Sequence, residues 1–101
     1  METYILVNGL PVLEPDFSTW AIWMGEHDRT LMFNRLEGYE VSTVYLGIAR
    51  SDRGKPLLWE TMVLGSEVPV ELENYQQRYA SLEEATIGHI SILKKVIEIV
   101  R

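Results

Sequence analysis

The strongest constraint on this fold is Ser81-Leu82-Glu83-Glu84 and the apolar stripe that follows it. Ser81 is placed to accept from the N–H of Glu84 while the Glu84 side chain reaches back, a capping box that starts a helix. The stripe of Leu82, Ala85, His89, Ile92, Leu93, Val96 and Val100 recurs at helical spacing to about Val100, and Ile90 and Ile97 widen it. Glu83 and Glu84 lie at the positive end of the helix dipole, with Lys94, Lys95 and Arg101 towards the negative end. A long helix with one apolar side has to bury that side against a second layer.

The rest of the chain supplies that layer as strands. Thr3 to Val7 is β-rich, and Asn8-Gly9 suits the positive φ angles of a tight hairpin turn into Leu10–Leu13. Pro11 cannot donate to a ladder, so the returning strand is expected to be short or to lie at an edge. Pro15-Asp16 reads as a helix start, with Asp16 as cap, Phe17 to Met24 as a short Trp-rich helix and Gly25 as its end. Because this helix is apolar around most of its circumference, it is expected to be largely buried or to cover something.

Thr30 to Leu36 and Tyr39 to Ile48 flank Glu37-Gly38 as a second hairpin, with Ser42, Val44, Leu46 and Ile48 read as the core face. Residues 51 to 56 are polar and read as a loop. Leu57 to Leu64 is apolar in both of its alternating sets, as befits a central strand covered on both sides. Gly65 to Pro69 reads as a surface loop, and Glu71 to Tyr79 as extended.

Together these elements predict one domain over residues 1–101 of α+β class. The expected architecture is a mainly antiparallel, three- to five-stranded sheet packed against the long C-terminal helix, with the short helix beside it. Its 101 residues suit one hydrophobic core, and an apolar fraction of 47% is too high for a disordered chain.

Charge and composition narrow the function classes. A net charge of -6 gives a phosphate backbone little to attract it, so nucleic acid is not an expected partner. The chain has no cysteine, which removes disulfides, thiolate metal sites and a cysteine nucleophile. No apolar run approaches the ~20 residues of a membrane span, and nothing opens the chain like a secretory signal. The expected setting is therefore cytoplasmic, with no membrane partner and no cofactor.

There is no nucleophile elbow, P-loop or dinucleotide fingerprint. The two histidines, His27 and His89, lie far apart with no ligand spacing around either, so no metal site is expected. A glycine in mid-helix costs ~1 kcal/mol relative to alanine, so Gly88 is read as a point of close approach. His89 beside it is expected to face Glu60 or Tyr79. Glu60 interrupts an apolar strand, and it either pairs with Arg50 or Arg78 or joins His89 and Tyr79 in a ligand pocket between sheet and helix. Ile90, Ile97 and Trp23 are the expected interface residues of a homodimer, and Trp20 is expected in the core. The loop at 51–56 carries two bases and one glycine, which is too little for a phosphate cradle.

Three stretches are distinctive in combination: Val41 to Gly47 (VSTVYLG), Trp59 to Gly65 (WETMVLG), and Arg78 to Ala85 (RYASLEEA) running into Gly88-His89. Their order resembles a group of small, functionally uncharacterised proteins of bacteriophages and prophages, over roughly residues 17 to 100 of this sequence. The resemblance implies a phage or bacterial-cytoplasm setting and assigns no chemistry to any residue. Two functions follow as expectations. The first is a non-enzymatic accessory protein that binds a host protein or itself. The alternative is a small-ligand binder or hydrolase using Glu60 and His89.

Overall fold

The computed structural model describes residues 2–52, 54–65, 72 and 75–101, with residues 50–52 described in their backbone only. In chain order the elements are β1 (Tyr4–Val7), β2 (Leu10–Leu13), α1 (Phe17–Glu26), β3 (Thr30–Leu36), β4 (Tyr39–Asp52), β5 (Lys55–Gly65), β6 (Gln76–Tyr79) and α2 (Leu82–Val100). The architecture is the α+β class read from the sequence. A four-stranded antiparallel sheet in the order β3-β4-β5-β6 and a two-stranded hairpin β1-β2 are joined by two helices.

Both hairpin turns owe their shape to positive backbone angles. Asn8 and Gly9 have φ of 52° and 79°, and Glu37 and Gly38 have 45° and 88°. Two successive positive φ values make the tight turn whose twist matches that of the strands it joins. The pairs closing these turns are Val7↔Leu10 and Leu36↔Tyr39. Pro11 sits in a four-residue strand at the edge of its hairpin, where its missing N–H costs no ladder bond.

α2 begins where the capping box places it, with the Ser81 hydroxyl accepting from Glu84 N–H at 3.1 Å. Its buried residues Ala85, His89, Ile92 and Val96 face the sheet. Opposite them lie Val41, Thr43 and Tyr45 of β4 and Trp59, Thr61 and Val63 of β5, all buried. This corrects the core face read for β4: the Val41, Thr43, Tyr45 set is inside, and Ser42, Val44 and Leu46 turn to the other side. Hydropathy misled because two of the inward residues carry hydroxyls whose partners come from other elements. The expected loop at residues 51–56 is likewise mostly strand, because β4 extends to Asp52 and β5 starts at Lys55; Gly54 lies in a turn and residue 53 lies outside the described residues. Residues 66–69 of the expected loop lie outside the described residues.

β5 is central, flanked by β4 and β6, and Leu58 to Thr61 are buried in succession, so both of its faces are covered there. Of the stretch Glu71 to Tyr79 expected to be extended, Gln76–Tyr79 is a strand, whereas the Leu72 carbonyl accepts from Tyr75 N–H at 3.1 Å, the bond of a turn; residues 71, 73 and 74 lie outside the described residues. α1 continues two residues beyond Met24, taking Gly25 inside and ending at His27. Only Trp20 is buried on it, while Phe17 and Ile22 are more than half exposed, so of the two alternatives expected, burial or cover, α1 takes the second, with one side over the sheet. α1 joins the main sheet at Gly47, whose φ is +69° and whose missing side chain leaves room for Trp20, Met24 and the Tyr4 carbonyl. Trp23 meets Tyr45 edge-on at 6.0 Å, and Tyr45 meets Trp59 at 5.2 Å, which completes a second core beside the α2 contact.

Candidate functional site

The most polar part of the interior is a chain of side chains strung between α2 and three strands. His89 is fully buried. Its Nε2 lies 2.8 Å from Asn34 Oδ1 on β3, and its Nδ1 lies 2.7 Å from Thr43 Oγ1 on β4. Thr43 in turn shares a hydrogen bond with Thr61 of β5, hydroxyl to hydroxyl.

An amide oxygen only accepts, so Nε2 carries the proton and donates to Asn34. Nδ1 of the neutral ring then accepts from the Thr43 hydroxyl, which accepts from Thr61. Burial holds the imidazole below its ordinary pKa, and among the described residues no carboxylate is hydrogen-bonded to it. The chain therefore binds α2 to β3, β4 and β5 with every ring nitrogen satisfied. It leaves no open side at which a substrate could meet His89.

Glu60 is elsewhere. Adjacent strand residues point to opposite faces, and Thr61 points at Thr43 and α2, so Glu60 points away from the helix. There it accepts from Arg78 Nε at 2.9 Å across the β5–β6 pair, with both side chains largely shielded. The structure does not bring Glu60 and His89 together: they lie on opposite faces of the same sheet, each with its own partner. The pocket expected between sheet and helix therefore does not form from them. The strand's alternation separates them, a constraint visible in the sequence once Thr61 is known to face inwards.

Tyr79 is the residue that Gly88 accommodates. A Cβ built at position 88 would overlap the hydroxyl and ring of Tyr79. Among the described residues the buried Tyr79 hydroxyl has no hydrogen-bond partner, and neither has Trp20 Nε1. The Tyr75 phenol is pushed above its ordinary pKa, first by burial and then by Tyr79, without the two hydroxyls meeting hydrogen-bond geometry.

His27 lies in the exposed turn expected of it. It stacks on Trp23 at 4.2 Å, and its Nδ1 donates to the Trp23 carbonyl at 2.7 Å. Next to it an open groove of about 240 Å³ is lined by His27, Asp28, Arg29, Thr30 and Val44. Asp28 is occupied there as acceptor of Thr30 N–H, which holds its carboxyl below the usual range. Among the described residues no group of three or more acids or histidines is placed to hold a metal ion.

The residues expected at an interface are spread over two surfaces. Ile90 is exposed and Ile97 partly so, both on the flank of α2, whereas Trp23 is half-buried between His27 and Tyr45 on α1. Sequence reasoning missed Asn34, Thr43 and Thr61. No local pattern marks them, because they become partners only through strand register. No described helix is long and apolar enough to cross a membrane. Comparison with protein-family models, with curated proteins and with solved structures finds no match to this chain.

Proposed function

We propose that this chain is a small, non-enzymatic accessory protein of bacteriophage type that works by protein–protein contact, with itself or with a host protein, in the bacterial cytoplasm. The observation that carries this reading is the apolar surface left uncovered. Val7, Leu10, Val12 and Leu13 of the first hairpin and Phe17 and Ile22 of α1 are all exposed in neighbouring elements. By the hairpin's pairing Val7, Leu10 and Val12 share one face, and exposed apolar groups that adjoin one another mark contact surfaces in small proteins, whereas single ones do not. The resemblance of residues 17 to 100 to phage and prophage proteins supplies the setting. The polar groups suited to chemistry, Glu60 and His89, are already engaged with Arg78 and with Asn34 and Thr43.

Light-scattering mass during size-exclusion chromatography, paired with capture from host lysate on the immobilised protein, tests the reading. A mass near twice 11.7 kDa, or a stoichiometric complex with one host protein that α1 substitutions abolish, supports it. A monomer that retains nothing from lysate overturns it.

A further inference from the structure

The strand edges of this molecule are not equally protected. Val7↔Leu10 closes a two-residue turn and is therefore hydrogen-bonded, so the next pair, Leu6↔Pro11, is not, and Pro11 turns its nitrogen to the outside. The outer edge of β2 is thus blocked by proline, a common guard against pairing. β6 is only four residues long and polar, a second such guard. β3 has neither. It runs for seven residues without proline or lysine, its one irregularity falls between Thr30 and Met32, and Met32 to Leu36 are regular. No backbone hydrogen bond from Met32 to Leu36 goes to any described element besides β4.

Its charges are arranged for reversal. Arg29 stands just before β3 and Glu37 just after it, both exposed and neither ion-paired among the described residues. Arg29 at one end and Glu37 at the other make the edge complementary to itself when turned antiparallel, the symmetry of an isologous dimer, while Asp28 beside Arg29 is engaged by Thr30 N–H. The apolar flank of α2 lies on the same side. Gly88 abuts Tyr79 of β6 and His89 reaches Asn34 of β3, so the helix winds from β6 towards β3 between them. Ile90 is one step further in that direction, and Ile97, one heptad on, falls within about 20° of it.

We propose that β3 pairs antiparallel with β3 of a second copy about a twofold axis at Phe33, making one continuous sheet with α2 of both copies on the same face. This rests on the reading that the chain acts by protein contact, and it names the partner and the edge. In this register Phe33 meets Phe33 of the second copy, and Arg29 meets Glu37 of the second copy, twice. Arg35 keeps its bond to Glu40 of its own chain and stands opposite Leu31, so no like charges face each other. The Ile90–Ile97 flanks turn towards the axis.

The absence of cysteine makes the test clean. Phe33→Cys creates the single thiol of the chain at an exposed site. Mild oxidation should convert it to a covalent dimer, whereas Gln76→Cys, exposed on β6 at the opposite edge of the sheet, should stay monomeric on a non-reducing gel. Phe33→Pro removes only an outward N–H, because Phe33↔Ser42 is a non-hydrogen-bonded pair counted from the Leu36↔Tyr39 turn. It should give a monomer with wild-type circular dichroism. Arg29→Glu should raise the dimer dissociation constant several-fold, and Arg29→Glu with Glu37→Arg should restore it. This charge swap reads the interface even where the proline variant misfolds. A wild-type dimer in which Phe33→Cys does not cross-link and the charge swap changes nothing overturns the β3 edge but leaves protein contact standing. A wild-type monomer overturns the proposal outright.

Discussion

Gly88→Ala sets two effects of opposite sign against each other at one position. Alanine is the better helix former by about 1 kcal/mol, so on an exposed helix the substitution would stabilise. Here the added methyl would overlap the Tyr79 hydroxyl and two carbons of its ring. Tyr79 is 7% exposed and paired with Trp59 across the β5–β6 ladder, so the ring cannot swing into solvent. Overpacking of a core costs roughly 1–3 kcal/mol, and overlap with three atoms of a fixed ring belongs at the upper end.

The net expectation is a loss of about 1–2 kcal/mol. In a domain of this size that lowers the melting temperature by roughly 5–15 °C. Urea unfolding followed by tryptophan fluorescence reads it directly, with an unchanged m-value showing that the compactness of the end states is the same. Tyr79→Phe removes a buried hydroxyl that makes no hydrogen bond among the described residues, so alone it should be neutral or slightly stabilising. In the Gly88→Ala background it should recover part of the loss, giving a favourable coupling in the double-mutant cycle. A Gly88→Ala protein as stable as wild type would refute the claim that α2 is seated on the Tyr79 ring.

The remaining expectations concern the polar groups and the caps. His89 is held neutral by burial, and its folded pKa lies below the unfolded value of 6.5. The unfolded chain then takes the proton first, so the contribution of His89 is complete above that value and is lost as pH falls below it. Urea midpoints should be level above neutrality and decline under about pH 6.5, and His89→Gln should flatten that decline. Thr43→Val leaves His89 Nδ1 without its donor and should cost about 1–3 kcal/mol by the same melt. Arg78→Ala strands the Glu60 carboxylate and should cost on the order of 3 kcal/mol, while Glu60→Leu with Arg78→Leu should recover most of it. Ser81→Ala removes the α2 cap and should cost about 1 kcal/mol, visible as lost helical circular dichroism on heating.

Elements governed by local chemistry were legible in the sequence. The Ser81 cap, the Asn8-Gly9 and Glu37-Gly38 turns, Pro11 at an edge and Gly88 at a close contact are each fixed by one or two residues whose conformational or steric needs do not depend on the rest of the fold. What required register was not legible. Thr43 and Thr61 look like outward residues by hydropathy, yet they are inside because β4 and β5 align them with each other and with His89. The same alignment put Glu60 on the far face, where Arg78 was one of the two partners its position suggested. Polar residues in the interior are defined by partners distant in sequence, so a scale that ranks side chains singly assigns them to the surface.

Gly47 has a consequence for the order in which this molecule comes apart. β4 pairs with β5 up to Tyr45 and again from Arg50, and in the interrupted stretch around Gly47 it serves as the mooring of the N-terminal segment. The moorings are the Thr3–Ile48 bridge, the Ala49 N–H to Glu2 carbonyl bond and the Tyr45 hydroxyl on the Tyr4 carbonyl. These few ties and the packing of Tyr4, Leu6, Trp20, Trp23 and Met24 hold β1, β2 and α1, whereas β3 to β6 and α2 are joined by long ladders and the buried His89 chain. Amide protons of the first hairpin should therefore exchange through a partial opening of lower free energy than global unfolding, as one cooperative unit. The molecule thus has a detachable prow and a keel, and Gly47 marks the seam between them.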